Sequence, residues 1–243
     1  MTFVRYSDKI YCMAKSQIKS KERVTDHGEV FTNEREVNAM LDLVKNESFN
    51  IESTFLEPAC GDGNFLIAIL DRKLQKVEEL YSKYRPDYEK YSIVALSSIY
   101  GVELLQDNTD ACIERLFNHF KDIYKKHMKN DASEKALEAA HFILTKNILC
   151  GDALTLLKND GTPIVFAEWK WVKDTFVKRR DFELSKILEA ESYNTELADN
   201  GDPDQLSLFF ASGEDAVKDV YDSVNKPIRE FPPIDYREIA KYE

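Results

Sequence analysis

The chain has 243 residues, 43% hydrophobic and 12% aromatic, with a formal charge of −11. That length and apolar share suit one good core with a small appendage and exclude a disordered chain. The longest unbroken apolar run, Phe65 to Leu70, is far too short to span a membrane, and the N-terminus lacks the apolar core of a signal peptide. Four cysteines (Cys12, Cys60, Cys112, Cys150) show no C-x-x-C spacing, so reduced thiols in a cytoplasmic protein are expected, with neither zinc nor disulfides. The acidic balance argues against holding DNA unaided, because a duplex is densely anionic.

Residues 1 to 24 are polar and without a period. Asn33 is then placed to cap a helix, with Glu36 at the capping-box position and Val37, Met40, Leu41 and Val44 as its apolar stripe. Thr54 to Glu57 reads as a short buried strand, and Pro58 to Gly63 as a tight loop. A helix capped by Asn64 follows, running toward Tyr84. Helix around Tyr91 to Ser97 leads into a strand from Ile99 to Leu104. Ala111, Leu116, Phe117, Phe120 and Tyr124 mark a long amphipathic helix, and Ile148 to Cys150 a third strand. This alternation is the grammar of a parallel α/β sheet that binds ligands at the C-terminal ends of its strands. Ile164 to Phe166 is a candidate further strand within an ambiguous stretch, 163 to 190. From 189 to 226 the chain turns acidic and polar, a composition that buries little. Basic residues cluster at Lys15 to Arg23, at Lys121 to Lys129 and at Lys170 to Arg180, where a solvated face is the simplest reading.

Three strand ends carry the chemistry. The first runs through Glu57-Pro58-Ala59-Cys60-Gly61-Asp62-Gly63-Asn64-Phe65-Leu66. Gly61 and Gly63 permit positive φ and close approach of a ligand. Leu66 stands where a dinucleotide fold wants a small residue, and Glu57 and Asp62 would repel a pyrophosphate while suiting a cationic group. The second strand ends in Gly101-Val102-Glu103-Leu104, where a carboxylate can accept two ribose hydroxyls. The third ends in Cys150-Gly151-Asp152-Ala153-Leu154; Asp152 can accept from an adenine amino group, with Ala153 and Leu154 offering apolar surface to the ring.

These segments resemble the bacterial N6-adenine DNA methyltransferases of restriction–modification systems. Gly28-Glu29-Val30-Phe31-Thr32 is similar to the family's N-terminal cofactor motif, and Glu57 to Leu66 to its glycine-loop motif, in the family's order. The resemblance covers about residues 25 to 155. It implies a partial doubly wound methyltransferase (Rossmann-like) sheet that binds S-adenosyl-L-methionine. Phe31 and Thr32 would flank its methionine end, with Glu57, Ala59, Gly61 and Gly63 in the loop, Glu103 and Leu104 at the ribose, and Asp152, Ala153 and Leu154 at the adenine. The implied layout is a helical lead with a cofactor lid (1–53), a cofactor-binding α/β domain (54–188) and an irregular acidic linker and tail (189–243).

One family element is missing. The chemistry needs Asn or Asp followed by Pro-Pro and an aromatic, because acceptors must polarise the amine and an aromatic must stack on the flipped base. No such tetrapeptide occurs, and the only Pro-Pro, in Phe231-Pro232-Pro233-Ile234, reads as an extended tail segment. The expectation is therefore a split or truncated DNA adenine methyltransferase, with no catalytic residue of its own. It would reach DNA through a second methylase polypeptide. The alternative is a non-catalytic cofactor-binding regulatory module. Gln205-Leu206-Ser207-Leu208-Phe209 resembles the peptide by which bacterial proteins dock on the sliding clamp; the other reading is that its apolar residues fold back on the domain.

Overall fold

The computed structural model describes residues 32–189 and 226–242. Phe31 with the rest of the lid motif before Thr32, and the Gln205–Phe209 peptide, lie outside these ranges. Helix α1 (Glu34–Leu43) starts at its expected cap: Asn33 Oδ1 accepts from the Arg35 N–H at 2.9 Å, satisfying one of the orphan donors of the first turn. Of its expected stripe only Val37 and Leu41 are buried, while Met40 is 54% and Val44 42% exposed. A single turn, α2 (Lys45–Ser48), follows.

Strand β1 (Phe55–Glu57) leads through the glycine loop into α3 (Asn64–Tyr81). Gly63, at φ 92°, caps α3 in place of Asn64; its left-handed backbone turns the chain into the helix, and Asn64 becomes the first helical residue. Helix α4 (Arg85–Ser97) begins well before Tyr91, with Pro86 in the first turn where its missing N–H costs nothing. Every residue from Ser92 to Ser97 is buried, so this half of α4 has no polar face to supply a helical period. Next come β2 (Ile99–Glu103), α5 (Gln106–Met128), α6 (Glu134–Asn147) and β3 (Ile148–Cys150). Helix α6 is unforeseen by the sequence reading. Ser133 caps it, Oγ accepting from the Ala136 N–H at 3.2 Å, and three of its buried residues are alanines, which carry little of the apolar signal that marks a stripe.

Strands β1, β2 and β3 form a parallel sheet in that order, with Glu57 opposite Gly101 and Glu103 opposite Cys150. The chain is a mixed α/β fold, and its three strand ends come to one edge. Buried Lys73 of α3 ties the approach to β1 in place. Its ammonium donates to the carbonyls of Asn50 (2.9 Å), Ile51 (3.2 Å) and Ser53 (2.5 Å) and to Ser98 Oγ (2.8 Å).

Two expectations give way in the second half. The ambiguous stretch is mostly a long antiparallel hairpin, β4 (Val165–Lys173), which takes in most of the candidate strand at Ile164 to Phe166, and β5 (Phe176–Glu183). It docks on the first sheet by Tyr100 Oη to the Ala167 carbonyl (2.9 Å) and on α6 by Trp169 Nε1 to buried Asn147 (2.9 Å). The second is the expected tail. Its described part, 226–242, pairs β6 (Arg229–Glu230) and β7 (Ile234–Asp235) with β5 and continues into a 3₁₀ segment, Tyr236–Lys241. Tyr236 and Ile239 are fully buried. Glu89, buried on α4, holds this segment: it accepts from Tyr236 Oη at 2.6 Å, Arg237 Nε at 2.8 Å and Tyr124 Oη. The reason is charge placement, since Glu89 reads as solvated in sequence yet finds three donors from distant elements. Among the described residues no helix is long and apolar enough to cross a membrane.

Candidate functional site

After Glu57 the chain folds back toward β2: the Cys60 N–H donates to the Val102 carbonyl (3.0 Å) and the Gly63 N–H to the Cys60 carbonyl (2.9 Å). Gly61 and Gly63 both have positive φ, 54° and 92°. A Cβ on Gly63 would stand 2.8 Å from Cys112 Sγ, and one on Gly101 2.9 Å from Cys60 Sγ. These glycines are thus needed for packing as well as for backbone conformation, and the loop is pressed against β2 and α5.

Glu103, buried at the end of β2, meets this loop. Oε2 accepts from the Gly61 N–H at 2.9 Å, and Oε1 from the Leu105 N–H at 3.1 Å and Asn108 Nδ2 at 3.2 Å. A carboxylate offers roughly four acceptor positions. A bidentate grip on two ribose hydroxyls therefore requires one of these internal bonds to yield, while a single hydroxyl can add to them.

The loop's two acids separate. Glu57 is half-buried; burial pushes its carboxyl up, and the Ala59 N–H, 3.3 Å from Oε1, pulls it partly back. Asp62 is engaged by Arg115 of α5, which pairs with its carboxylate at 2.5 Å and also donates to its carbonyl (2.5 Å) and to Asn64 Oδ1 (2.9 Å). Expecting both acids to face a cationic ligand needs correction: Asp62 pairs with Arg115, a cation of the protein, while Glu57 accepts from the Ala59 N–H. Asn64 Nδ2 reaches the Thr32 carbonyl at 3.2 Å, bringing the described end of the lid motif to the N-terminus of α3.

At the third strand end the Gly151 N–H donates to the Glu103 carbonyl at 2.9 Å. Asp152 closes its own turn by accepting from the Leu154 N–H at 2.8 Å, the bond that chiefly holds its carboxyl below the usual range. Ala153 packs on the apolar cluster of Val102, Ile164 and Phe166. Leu154, in contrast, is 94% exposed, and Ala59 and Leu104 are also exposed, so these three make no apolar wall in this structure. Sequence reasoning missed Asn108, Cys112 and Arg115. They stand at i, i+4 and i+7 and so share a face of α5, a spacing visible in the sequence.

Two open cavities lie elsewhere and include no residue of the glycine loop. One, of about 630 Å³, sits around Phe49, Lys76 and Tyr91; the other, of about 530 Å³, lies between α5 and α6 around Phe117 and His141. Among the described residues no group of three His, Cys, Asp or Glu side chains is placed to hold a metal. No protein-family model, curated protein or solved structure matches the chain.

Proposed function

We propose that the chain is the S-adenosylmethionine-binding half of a DNA adenine-N6 methyltransferase, built on the first strands of a doubly wound Rossmann-like sheet and completed by a second methylase polypeptide that brings the DNA. One observation carries the reading: the Gly61 N–H of a two-glycine loop at the end of β1 bonds the Glu103 carboxylate at the end of β2, on a parallel sheet. That is the arrangement a nucleoside with a cationic tail needs, an oriented acid beside backbone that a ligand can approach closely. Glu103 would take the ribose, Asp152 the adenine amine, and Glu57 the cationic methionine end, with Phe31 and Thr32 flanking it. The bound cofactor supplies the methyl electrophile.

The need for a partner is supported by the edge of the sheet. In a parallel ladder alternate residues bond to each neighbour. Phe55 bonds toward β2 through the Ser98 carbonyl, so Leu56 turns its backbone outward, and among the described residues no strand pairs with that side. A strand added there would deliver the absent Asn-Pro-Pro-aromatic segment beside the glycine loop. The competing reading, a non-catalytic cofactor-binding module, draws on the placement of Pro232-Pro233 between β6 and β7, where Phe231 packs on Tyr242 with ring centroids 5.0 Å apart.

Calorimetry tests the pocket. The full chain should bind S-adenosylmethionine, and Glu103→Ala should lose about 1–3 kcal/mol for charge-assisted bonds to the ribose. Absence of binding at millimolar cofactor overturns the reading. Methyl transfer to mixed-sequence DNA by the chain alone should stay at background; robust transfer would show that other residues replace the missing tetrapeptide.

A further inference from the structure

We infer that α5 is the positioning element of this site, its Asn108, Cys112 and Arg115 holding the glycine loop and Glu103 in ligand-ready geometry, with Arg115 governing the methionine end and Asn108 the ribose end. The inference rests on the cofactor reading above and adds residues that lie outside every motif of the resemblance.

The three residues stand at i, i+4 and i+7 and therefore share one face of the helix. Each touches a different part of the site. Asn108, fully buried, donates to Glu103 Oε1 at 3.2 Å. Cys112, fully buried, lies where a Cβ on Gly63 would come within 2.8 Å of its Sγ, so it presses on the loop at its second glycine. Arg115 grips the carbonyl and carboxylate of Asp62 and the side chain of Asn64 with one guanidinium. A planar fork with three acceptors on two adjacent segments fixes orientation as well as distance.

A loop with glycines at both turning points has little intrinsic preference for one conformation. Its bonds to β2 fix Cys60, and the Glu103 bond fixes Gly61, while α5 holds Asp62, and α5 and Thr32 hold the first residue of α3. Helix α5 can serve as that frame because Leu116, Phe120 and Tyr124 seat its remaining length in the core. Arg115 also sets a positive charge beside a loop that carries Glu57 and Asp62 and abuts Glu103, which lowers the mutual repulsion of three acids at one edge. Ordering the loop in advance removes a cost that would otherwise fall on ligand binding.

The experiment uses the full chain with Arg115→Met, Arg115→Lys and Asn108→Ala, and Asn118→Ala on the exposed face of α5 as control. The probes are S-adenosylhomocysteine and 5′-methylthioadenosine, which lacks the amino-acid end. Arg115→Met should weaken S-adenosylhomocysteine by about tenfold or more while changing 5′-methylthioadenosine less than about twofold, and Arg115→Lys should recover part of the loss. Asn108→Ala should weaken both probes alike. A readout without ligand is amide hydrogen exchange: in Arg115→Met the amides of Gly61 to Asn64 should exchange faster, with those of β2 and α6 unchanged. Equal loss for both probes in Arg115→Met, or unchanged exchange in the loop, overturns the inference. Failure of the wild-type chain to bind either probe overturns the cofactor reading instead, and the exchange measurement then decides the role of α5 alone.

Discussion

Replacing Glu89 by alanine tests whether residues 226–242 are structural core or an ornament on it. The carboxylate, with 5% of its side chain exposed, serves three donors that the chain draws from Tyr124, Tyr236 and Arg237. Each buried phenol left without an acceptor costs about 1–3 kcal/mol, and breaking a buried ion pair costs about 3–5 kcal/mol. These terms overlap, since all three bonds share one carboxylate. Arg237 keeps 30% of its side chain exposed and can turn its head to water, which places the pair at the low end. The expected loss is about 3–5 kcal/mol, a large share of the roughly 5–15 kcal/mol that holds a domain folded. For a chain of this size that corresponds to a fall in Tm of about 6–20 °C. Tyr236→Phe, which removes one donor and leaves the acid two, should cost about 1–2 kcal/mol. The double variant should lose less than the sum of the two singles. Thermal unfolding of the four proteins gives the cycle. If Glu89→Ala lowers Tm by less than about 2 °C, or the two losses simply add, then the network contributes little and 226–242 is peripheral after all.

Two further perturbations follow from local geometry. His119 of α5 bonds Asp71 of α3 at 2.6 Å, and this bond raises its pKa above the ordinary 6.5. A raised folded-state pKa means that the stabilisation is fully present below 6.5 and is lost as pH climbs through the higher folded value. The Tm advantage of wild type over His119→Gln should therefore shrink from about pH 6 to pH 8, and an advantage that grows over that range refutes the pairing. Gly63→Ala and Gly161→Ala both place a Cβ at positive φ, but only at Gly63 does it meet a side chain, Cys112, at 2.8 Å; at Gly161 nothing lies within 4 Å. Gly161→Ala should cost about 1–2 kcal/mol from backbone strain alone and Gly63→Ala distinctly more, measured by denaturant unfolding. Equal losses would mean that the loop is not pressed against α5.

Strands and loops with strong local chemistry were legible in the chain alone. Asn33 caps its helix because a short side-chain oxygen satisfies an exposed N–H whatever lies further away. The glycine loop is recognisable because positive φ leaves few residue choices. The acids at Glu57, Glu103 and Asp152 fall at strand ends, and parallel pairing brings those ends to one edge. By contrast, α6 escaped notice because alanines mark a close helix contact rather than a large apolar face. The start of α4 escaped because Tyr88 is the one apolar residue buried between Arg85 and Lys90, and buried Glu89 beside it reads as solvated. The hairpin of β4 and β5 escaped for a related reason: its charged residues, such as Arg179 with Asp181 at 2.7 Å, pair with one another inside the sheet and read as solvent-facing in sequence.

What the sequence determined by itself, then, is a set of local decisions: the cap at Asn33, the turn at Gly61 and Gly63, and which three carboxylates stand at strand ends. Those choices depend chiefly on atoms within a few residues of one another. Only the tertiary structure decided how the carboxylates are shared out. Arg115, distant in sequence, takes Asp62 and leaves Glu57; Asn108 and the Gly61 N–H fix Glu103; and Glu89, unremarkable in the chain, becomes the anchor of residues 226–242. A carboxylate's role follows from which donors and cations reach it and from how much water is excluded. Both are set by packing between elements far apart in sequence.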